Sequence, residues 1–169
     1  MATEMQKRLQ ETIKDFSLPT FEEIPTVGLY LEQTSNFINS YLEELLGTKL
    51  TPSMISNYVK KNLIARPEKK LYSREQLAYL FFIALAKTVL PLDDLKLLVK
   101  VQQESYATEV AYRYFCEELK QTLTAVFEHK ALELTTADQP EQKIMLSNII
   151  ITVAHKIYLE KYFAVLQDK

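Results

Sequence analysis

Residues 50–98 read LTPSMISNYVKKNLIARPEKKLYSREQLAYLFFIALAKTVLPLDDLKLL and contain two helix start signals separated by a short basic connector. Thr51 precedes Pro52, and this pair indicates a helix start, because the hydroxyl can accept an unpaired backbone N–H and the fixed φ of proline suits the first turn. Ser73 followed three residues later by Gln76 is typical of a capping box. The segment therefore predicts a helix, a connector and a second helix.

The first of these helices has one polar side and one apolar side. Projection at about 100° per residue separates them cleanly. The apolar side carries Met54, Ile55, Tyr58 and Val59. The polar side carries Ser53, Ser56, Asn57, Lys60 and Lys61. Small hydrogen-bonding side chains next to cations suit contact with base edges and phosphates.

Cations are concentrated around this helix. From Lys49 to Arg74, seven cations stand against the single acid Glu68, a net charge of +6 in a chain whose formal net charge is −2. Such a local concentration is typical of a phosphate-binding surface and predicts an affinity that falls with salt. The open alternative is an ordinary solvated helix face beside a solvated charge run.

Three parts of the segment resemble the DNA-binding domain of MerR-type regulators. Residues 55–64, 71–73 and 92–96 are similar in order to a recognition helix, a wing ending in tyrosine and serine, and a helix opened by a leucine-acid-acid motif. The chain also resembles a group of uncharacterised bacterial proteins with a MerR-like head, in which a segment like residues 24–33 precedes the head. The resemblance covers residues 24–100 and implies a winged helix-turn-helix.

The chain departs from the MerR-type pattern at several positions. Ser56 and Asn57 stand where these heads usually carry an arginine and a tyrosine. Asn62 stands where a glycine usually ends the recognition helix, although asparagine also tolerates the left-handed C-cap conformation. The connector lacks the family's glycine and arginine pair, so Lys69 and Lys70 are expected to make the phosphate contacts of the wing.

On this resemblance the chain is expected to be a DNA-binding transcriptional regulator of the MerR-like type, with nine residues on double-stranded DNA. Four are expected to enter the major groove: Ser53, Ser56, Asn57 and Lys60. Five are expected to hold phosphates: Tyr58, Lys61, Arg66, Lys69 and Lys70. The alternative is a helical protein-interaction or ligand-sensing module that has lost specific DNA reading, as the missing arginine permits.

Composition predicts an all-α protein of one or two small domains. The chain has 169 residues, is 47% hydrophobic and contains only two glycines, few for a fold rich in turns. Its one cysteine, Cys116, excludes an internal disulfide. The longest apolar run, residues 77–86, is too short for a membrane span, and the N-terminus lacks a secretory pattern, so the cytoplasm is expected.

The sequence predicts neither an enzyme nor a bound cofactor or metal. His129 and His155 fall on separate predicted helices without a neighbouring ligand at metal spacing. The glycine-rich phosphate loop and the nucleophile elbow need glycines that this chain does not have.

Three regions are predicted: an N-terminal helix and linker at 1–23, the MerR-like winged helix-turn-helix with a minimal wing at 24–100, and a region of long helices at 101–169. Helices are expected over 4–15, over 27–46 with Gly47 as C-cap, and after Asp138 as N-cap. Residues 101–134 are expected to form one long helix with Val110 inward, with a break near Ser105 as the open alternative.

The last region carries seven cations and ten acids, so it does not attract DNA. Its helices are more apolar than two helices alone can bury. The surplus predicts a homodimer formed through the C-terminal helices, with recognition helices spaced for adjacent half-sites about 34 to 36 Å apart. The alternative is a cavity between helices for an unknown small-molecule effector. It would be lined by aromatic side chains that more often pack in a core: Tyr106, Tyr112, Tyr114, Phe115, Tyr158, Tyr162 and Phe163.

Overall fold

The computed structural model describes residues 1–132 and 137–168, and within them the fold is all-α. Its helices are α1 (Glu4–Glu11), α2 (Leu31–Leu46), α3 (Pro52–Lys60), α4 (Arg74–Ala86), α5 (Leu92–Ser105), α6 (Thr108–Phe127) and α7 (Glu141–Gln167). A 3-10 turn covers Phe21–Glu23. The all-α prediction is confirmed.

The chain forms two compact units. One is Leu18–Cys116, and the other combines Met1–Ser17 with Glu117–Lys169, of which Lys169 lies outside the described residues. These two compact units do not coincide with the three regions predicted at 1–23, 24–100 and 101–169. The functional division into those three regions remains a prediction.

An aromatic cluster forms the core of the 18–116 unit. Phe81 of α4 is fully buried, and its ring lies 5.9 Å from Phe37, 5.7 Å from Tyr41 and 6.3 Å from Tyr112. Phe21 extends the cluster through a 6.1 Å contact with Tyr112, whose hydroxyl donates to the Pro19 carbonyl at 2.8 Å. Tilted and edge-to-face packing of this kind adds to the free energy gained from burial. Burial and the nearby Cys116 thiol raise the pKa of Tyr112.

Short polar signals set the helix ends of this unit as predicted. The Thr51 hydroxyl accepts from the Met54 N–H at 3.2 Å, and the Ser73 hydroxyl accepts from the Gln76 N–H at 3.2 Å. Gly47 ends α2 with φ 68°, a left-handed conformation that glycine adopts without strain. Asn62 follows α3 with φ 58°, the left-handed conformation that its position after the helix predicted and that asparagine tolerates.

The helix predicted from residue 27 begins later, at Leu31, because the preceding backbone makes extended pairings instead. Leu29 pairs antiparallel with Tyr72, with N–H to carbonyl distances of 3.1 and 2.8 Å. Gly28 lies so close to the connector that an added Cβ would stand 2.5 Å from the Leu71 Cβ. The segment before α2 is therefore joined to the connector between α3 and α4, and only glycine fits at residue 28.

The unit formed by 1–17 and 117–169 has α1 packed against α7. Helix α1 ends at Glu11 rather than near residue 15, since a turn closes with the Phe16 N–H on the Ile13 carbonyl at 3.0 Å. Leu9 is the buried anchor of α1, and Val153, Ala154 and Ile157 are buried on α7.

The C-terminal helices differ from the prediction in three ways. Helix α6 ends at Phe127 rather than near Leu134, and the break considered near Ser105 separates it from α5 at Tyr106, whose backbone is extended. Residues 133–136 lie outside the described residues. Val110, expected inward, is exposed. Asp138 does not cap α7, because Pro140 occupies the N-cap position and Asp138 has φ 58°. No helix in the described ranges is long and apolar enough to span a bilayer.

Candidate nucleic-acid interface

The start of α3 is fixed to α2 by a polar network at Leu50. The Asn39 side chain accepts from the Leu50 N–H at 2.7 Å and donates to the Leu50 carbonyl at 2.9 Å. The buried Ser35 hydroxyl donates to the same carbonyl at 2.6 Å. Because these bonds hold both backbone groups of the residue before the Thr51 cap, α2 sets where α3 begins.

Helix α3 presents the predicted polar side to solvent. Ser53, Ser56, Lys60 and Lys61 are exposed and Asn57 is half-buried, whereas Ile55 is 0% exposed. Within the described ranges, no hydrogen bond or ion pair engages the side chains of these five polar residues. The surface defined by Ser53, Ser56, Asn57, Lys60 and Lys61, here called the α3 surface, therefore offers donors and acceptors that the fold does not use.

The end of the connector, residues 66–72 and here called the wing, contains a tight turn with two lysines at its tip. Glu68 and Leu71 pair antiparallel, with the Leu71 N–H on the Glu68 carbonyl at 2.9 Å. Lys69 and Lys70 between them have φ 51° and 67°. Two consecutive positive φ values match a type I′ turn, which asparagine and glycine usually form. Both lysines and Arg66 are exposed.

Helix α4 holds the beginning of the connector. The Gln76 side chain donates to the Ala65 carbonyl at 2.9 Å and to the Arg66 carbonyl at 3.3 Å. The same side chain accepts from the Ser73 N–H at 2.8 Å. One glutamine thus completes the cap of α4 and fixes the backbone from which Arg66 extends.

Two of the seven cations between residues 49 and 74 have structural partners. The Arg74 Nε donates to the Ile24 carbonyl at 2.8 Å, its Nη2 to the Glu22 carbonyl at 3.2 Å, and its guanidinium lies 5.1 Å from the Phe21 ring centroid. Lys49 forms an exposed ion pair with Glu43 at 3.5 Å. Five cations without an ion pair in the described residues remain: Lys60, Lys61, Arg66, Lys69 and Lys70.

Tyr58 does not lie on the α3 surface, although it was one of the residues expected to hold phosphates. Its side chain is 2% exposed, and its buried hydroxyl has no hydrogen-bond partner among the residues that the structure describes. Burial raises the pKa of Tyr58 to about 12. The helical projection had placed Tyr58 on the apolar side, and the structure agrees with that projection. A phosphate cannot reach its hydroxyl in this conformation.

Lys87 was not among the predicted site residues, but it lies beside α3. It follows α4 directly, and its Nζ stands 3.8 Å from the Met54 sulfur and 5.8 Å from the Tyr58 ring centroid. No pattern in the sequence points to Lys87, because it follows an apolar run and lies 27 residues after the end of α3. Only tertiary packing brings it to this helix.

A cleft of about 330 Å³ lies next to the connector. Its lining includes Ala65, Gln76, Tyr79, Tyr106 and Thr108. The Tyr79 hydroxyl is already hydrogen-bonded to Gln102, and Thr108 donates to that hydroxyl at 3.4 Å. Of the aromatic residues considered for an effector cavity, Tyr106 lines this cleft, whereas Tyr112 and Phe115 are buried in the core.

Residues 19–115 match a family model described as a domain of unknown function (DUF1836). Comparisons with curated proteins and with solved structures found no match. The matched range contains α2 to α5, the wing and the segment joined to it. Because this range is more than half of the chain, the protein belongs to the DUF1836 family.

Proposed function

We propose that this protein is a DNA-binding transcriptional regulator of the MerR-like type, with α3 in the major groove and the short basic wing on phosphates. The observation that carries the proposal is the α3 surface. Among the described residues, the hydroxyl and amide groups of Ser53, Ser56 and Asn57 have no hydrogen-bond partner, and they lie beside Lys60 and Lys61 on the exposed side of a helix whose opposite side is buried. Hydroxyls and amides read base edges, and lysines hold phosphates.

The wing supports the proposal through its strain. Non-glycine residues avoid positive φ, yet the wing uses two consecutive lysines there. Strained backbone of this kind concentrates at functional sites. A wing that served only to join α3 and α4 would gain stability from asparagine and glycine at the same positions. Lys69 and Lys70 are consistent with a demand for charge at the tip.

The chain is proposed to bind DNA as a homodimer through its C-terminal helices. Leu159, Phe163 and Leu166 follow one another on α7 at four- and three-residue spacing, and all three are exposed. Residues at these spacings share one side of a helix, which makes an apolar stripe suited to a second copy. Two recognition helices then read two half-sites.

A salt titration of duplex binding tests the proposed function. Binding to a 20- to 30-base-pair duplex is expected to weaken linearly in log affinity against log salt, because lysine contacts release counterions. Lys60→Ala and Lys69→Ala are each expected to reduce the slope by about one unit. Lys96→Ala, an exposed lysine of α5, is the matched control and leaves the slope unchanged. A wild-type affinity without salt dependence would contradict the proposal.

The second candidate is a helical interaction or ligand-sensing module without specific DNA reading. Its support is the absence of arginine from the α3 surface, since arginine makes the commonest base-specific contact. This candidate predicts that fragments selected from genomic DNA share no sequence. Selection of one recurrent site by the full chain would favour the regulator.

A further inference from the structure

Lys87 occupies an unusual position at the side of α3. Its ammonium is half-buried, with the Met54 thioether at 3.8 Å and the Tyr58 ring beneath it at 5.8 Å. The other α3 cations, Lys60 and Lys61, belong to the helix itself and are exposed. Lys87 instead reaches α3 from the end of α4 and is held by packing.

This ammonium lacks an anionic partner. Within the described residues, no carboxylate lies within 4.0 Å of it, although burial makes an unpaired charge costly. The contact with the Tyr58 ring offsets only part of that cost, because cation–π attraction is modest at this distance. Burial accordingly lowers the pKa of Lys87. Lys87 is therefore a partly buried cation that has no anion beside it among the described residues.

Lys87 adjoins the α3 surface. At about 100° per residue, Met54 lies about 20° around the helix axis from Lys61 and about 60° from Asn57. The Met54 sulfur that Lys87 contacts thus marks the edge of the exposed polar side. When a helix lies in the major groove, the residues at its edges meet the phosphates of the groove walls.

We propose that Lys87 is a further phosphate contact, which closes one edge of the α3 surface against the DNA backbone. The inference rests on the proposed function and extends it to a residue outside the helix and the wing. Met54 and Tyr58 offer the Lys87 ammonium only a thioether sulfur and an aromatic ring, whereas a duplex phosphate offers it charged oxygen acceptors.

Lys87→Met separates this role from a structural one, because methionine keeps an unbranched apolar stem beside Met54 and Tyr58 and removes only the charge. The thermal midpoint of unfolding is expected to stay the same or rise. The negative slope of log affinity for duplex against log salt is expected to become less steep by about one unit. The loss of affinity relative to the wild type therefore grows about fourfold when the salt concentration is lowered from about 0.2 to about 0.05 M. Lys96→Met is the matched control and is expected to keep the wild-type slope. Lys87→Arg keeps the positive charge and is also expected to keep the wild-type slope.

A second measurement uses the wild-type chain. Amine acylation followed by mass spectrometry is expected to show protection of Lys87, and not of Lys96, when duplex is added. Unchanged slope in Lys87→Met together with unprotected Lys87 overturns the inference while the wild-type slope upholds the proposed function. A wild-type chain without a salt-dependent affinity overturns both. A lowered unfolding midpoint with a wild-type slope assigns Lys87 to folding alone.

Discussion

Asn57 is the residue of the α3 surface best suited to read a base. Its side-chain amide carries both a donor and an acceptor, the combination that pairs with the N6 and N7 edge of adenine. It is half-buried at the middle of α3, so its position is more restricted than that of a fully exposed side chain. No hydrogen bond inside the described part of the chain engages this amide, which leaves both groups available.

Asn57→Ala is expected to weaken binding to a site selected from genomic DNA by about 1 to 3 kcal/mol, because a two-bond contact to one base is lost. Binding to random duplex is expected to stay nearly constant, since the phosphate contacts remain. Competition titrations on both duplexes measure the two affinities, with Asn36→Ala on exposed α2 as control. Equal losses on both duplexes would remove Asn57 from base reading.

Tyr58→Phe gives the opposite kind of result. The buried Tyr58 hydroxyl has no hydrogen-bond partner in the described ranges. Removing an unsatisfied buried polar group is neutral or stabilising, by up to about 1 to 3 kcal/mol. Chemical denaturation is expected to show this gain, and duplex affinity is expected to remain at the wild-type value. A marked loss of affinity would return Tyr58 to the phosphate contacts predicted from sequence.

The same tyrosine contributes a pH dependence with a definite sign. Its pKa is raised from about 10 to about 12 in the fold, so the unfolded chain loses the phenolic proton first. The contribution of this pKa difference to the free energy of unfolding is therefore fully present below pH 10 and is lost as the pH rises toward 12. Stability measured from pH 9 to 12 is expected to fall less steeply for Tyr58→Phe than for wild type, although Tyr72 and Tyr112 keep part of the slope.

At the scale of elements, the wing combines a strained turn with two charges. Lys69→Asn with Lys70→Gly supplies the residues that a type I′ turn prefers, and it is expected to stabilise the fold by about 1 kcal/mol. The same double substitution removes two cations and is expected to reduce the salt slope of duplex binding by about two units.

Denaturant midpoints and salt titrations test the two effects separately. Lys69→Arg with Lys70→Arg is the control, because it keeps both charge and strain. A double variant that gains stability and keeps the wild-type slope would show that the wing does not touch phosphate.

The helix start and stop signals around α2, α3 and α4 were predictable because each depends on a few neighbouring residues. Thr51 with Pro52, Ser73 with Gln76, and Gly47 all act within one turn of the helix end. The start of α2 was not, because the pairing of Leu29 with Tyr72 joins residues 43 positions apart in sequence. The exposure of Val110 was missed as well, since helical spacing alone does not fix which side of a helix is covered.

The candidate site shows the same division. Periodicity placed Ser53, Ser56, Lys60 and Lys61 on the exposed side correctly, since α3 is a short helix with one strongly apolar side. Periodicity could not predict the hydrogen bonds of Arg74 to residues 22 and 24 or the approach of Lys87 to α3, because both depend on tertiary packing. A count of cations along the sequence therefore includes Arg74, which the fold already uses, and misses Lys87, which approaches α3 from α4.

At the scale of the whole molecule, charge and apolar surface are divided along the chain. The 49–74 segment carries a net charge of +6, whereas residues 101–169 hold seven cations and ten acids. The exposed apolar residues of α7 lie in this acidic part, where a DNA backbone is not attracted. The proposed surface for DNA and the proposed surface for self-association therefore lie in separate segments.

Phe163→Glu tests the self-association surface. Phe163 is 58% exposed and stands between Leu159 and Leu166 on one side of α7, so a charge there leaves the fold intact and disrupts apolar packing between copies. Analytical ultracentrifugation is expected to show a dimer for wild type and a monomer for the variant, and affinity for a two-half-site duplex falls because simultaneous engagement is lost. Glu160→Gln, an exposed change on the same helix, keeps the dimer. A monomeric wild type at micromolar concentration would refute pairing through α7.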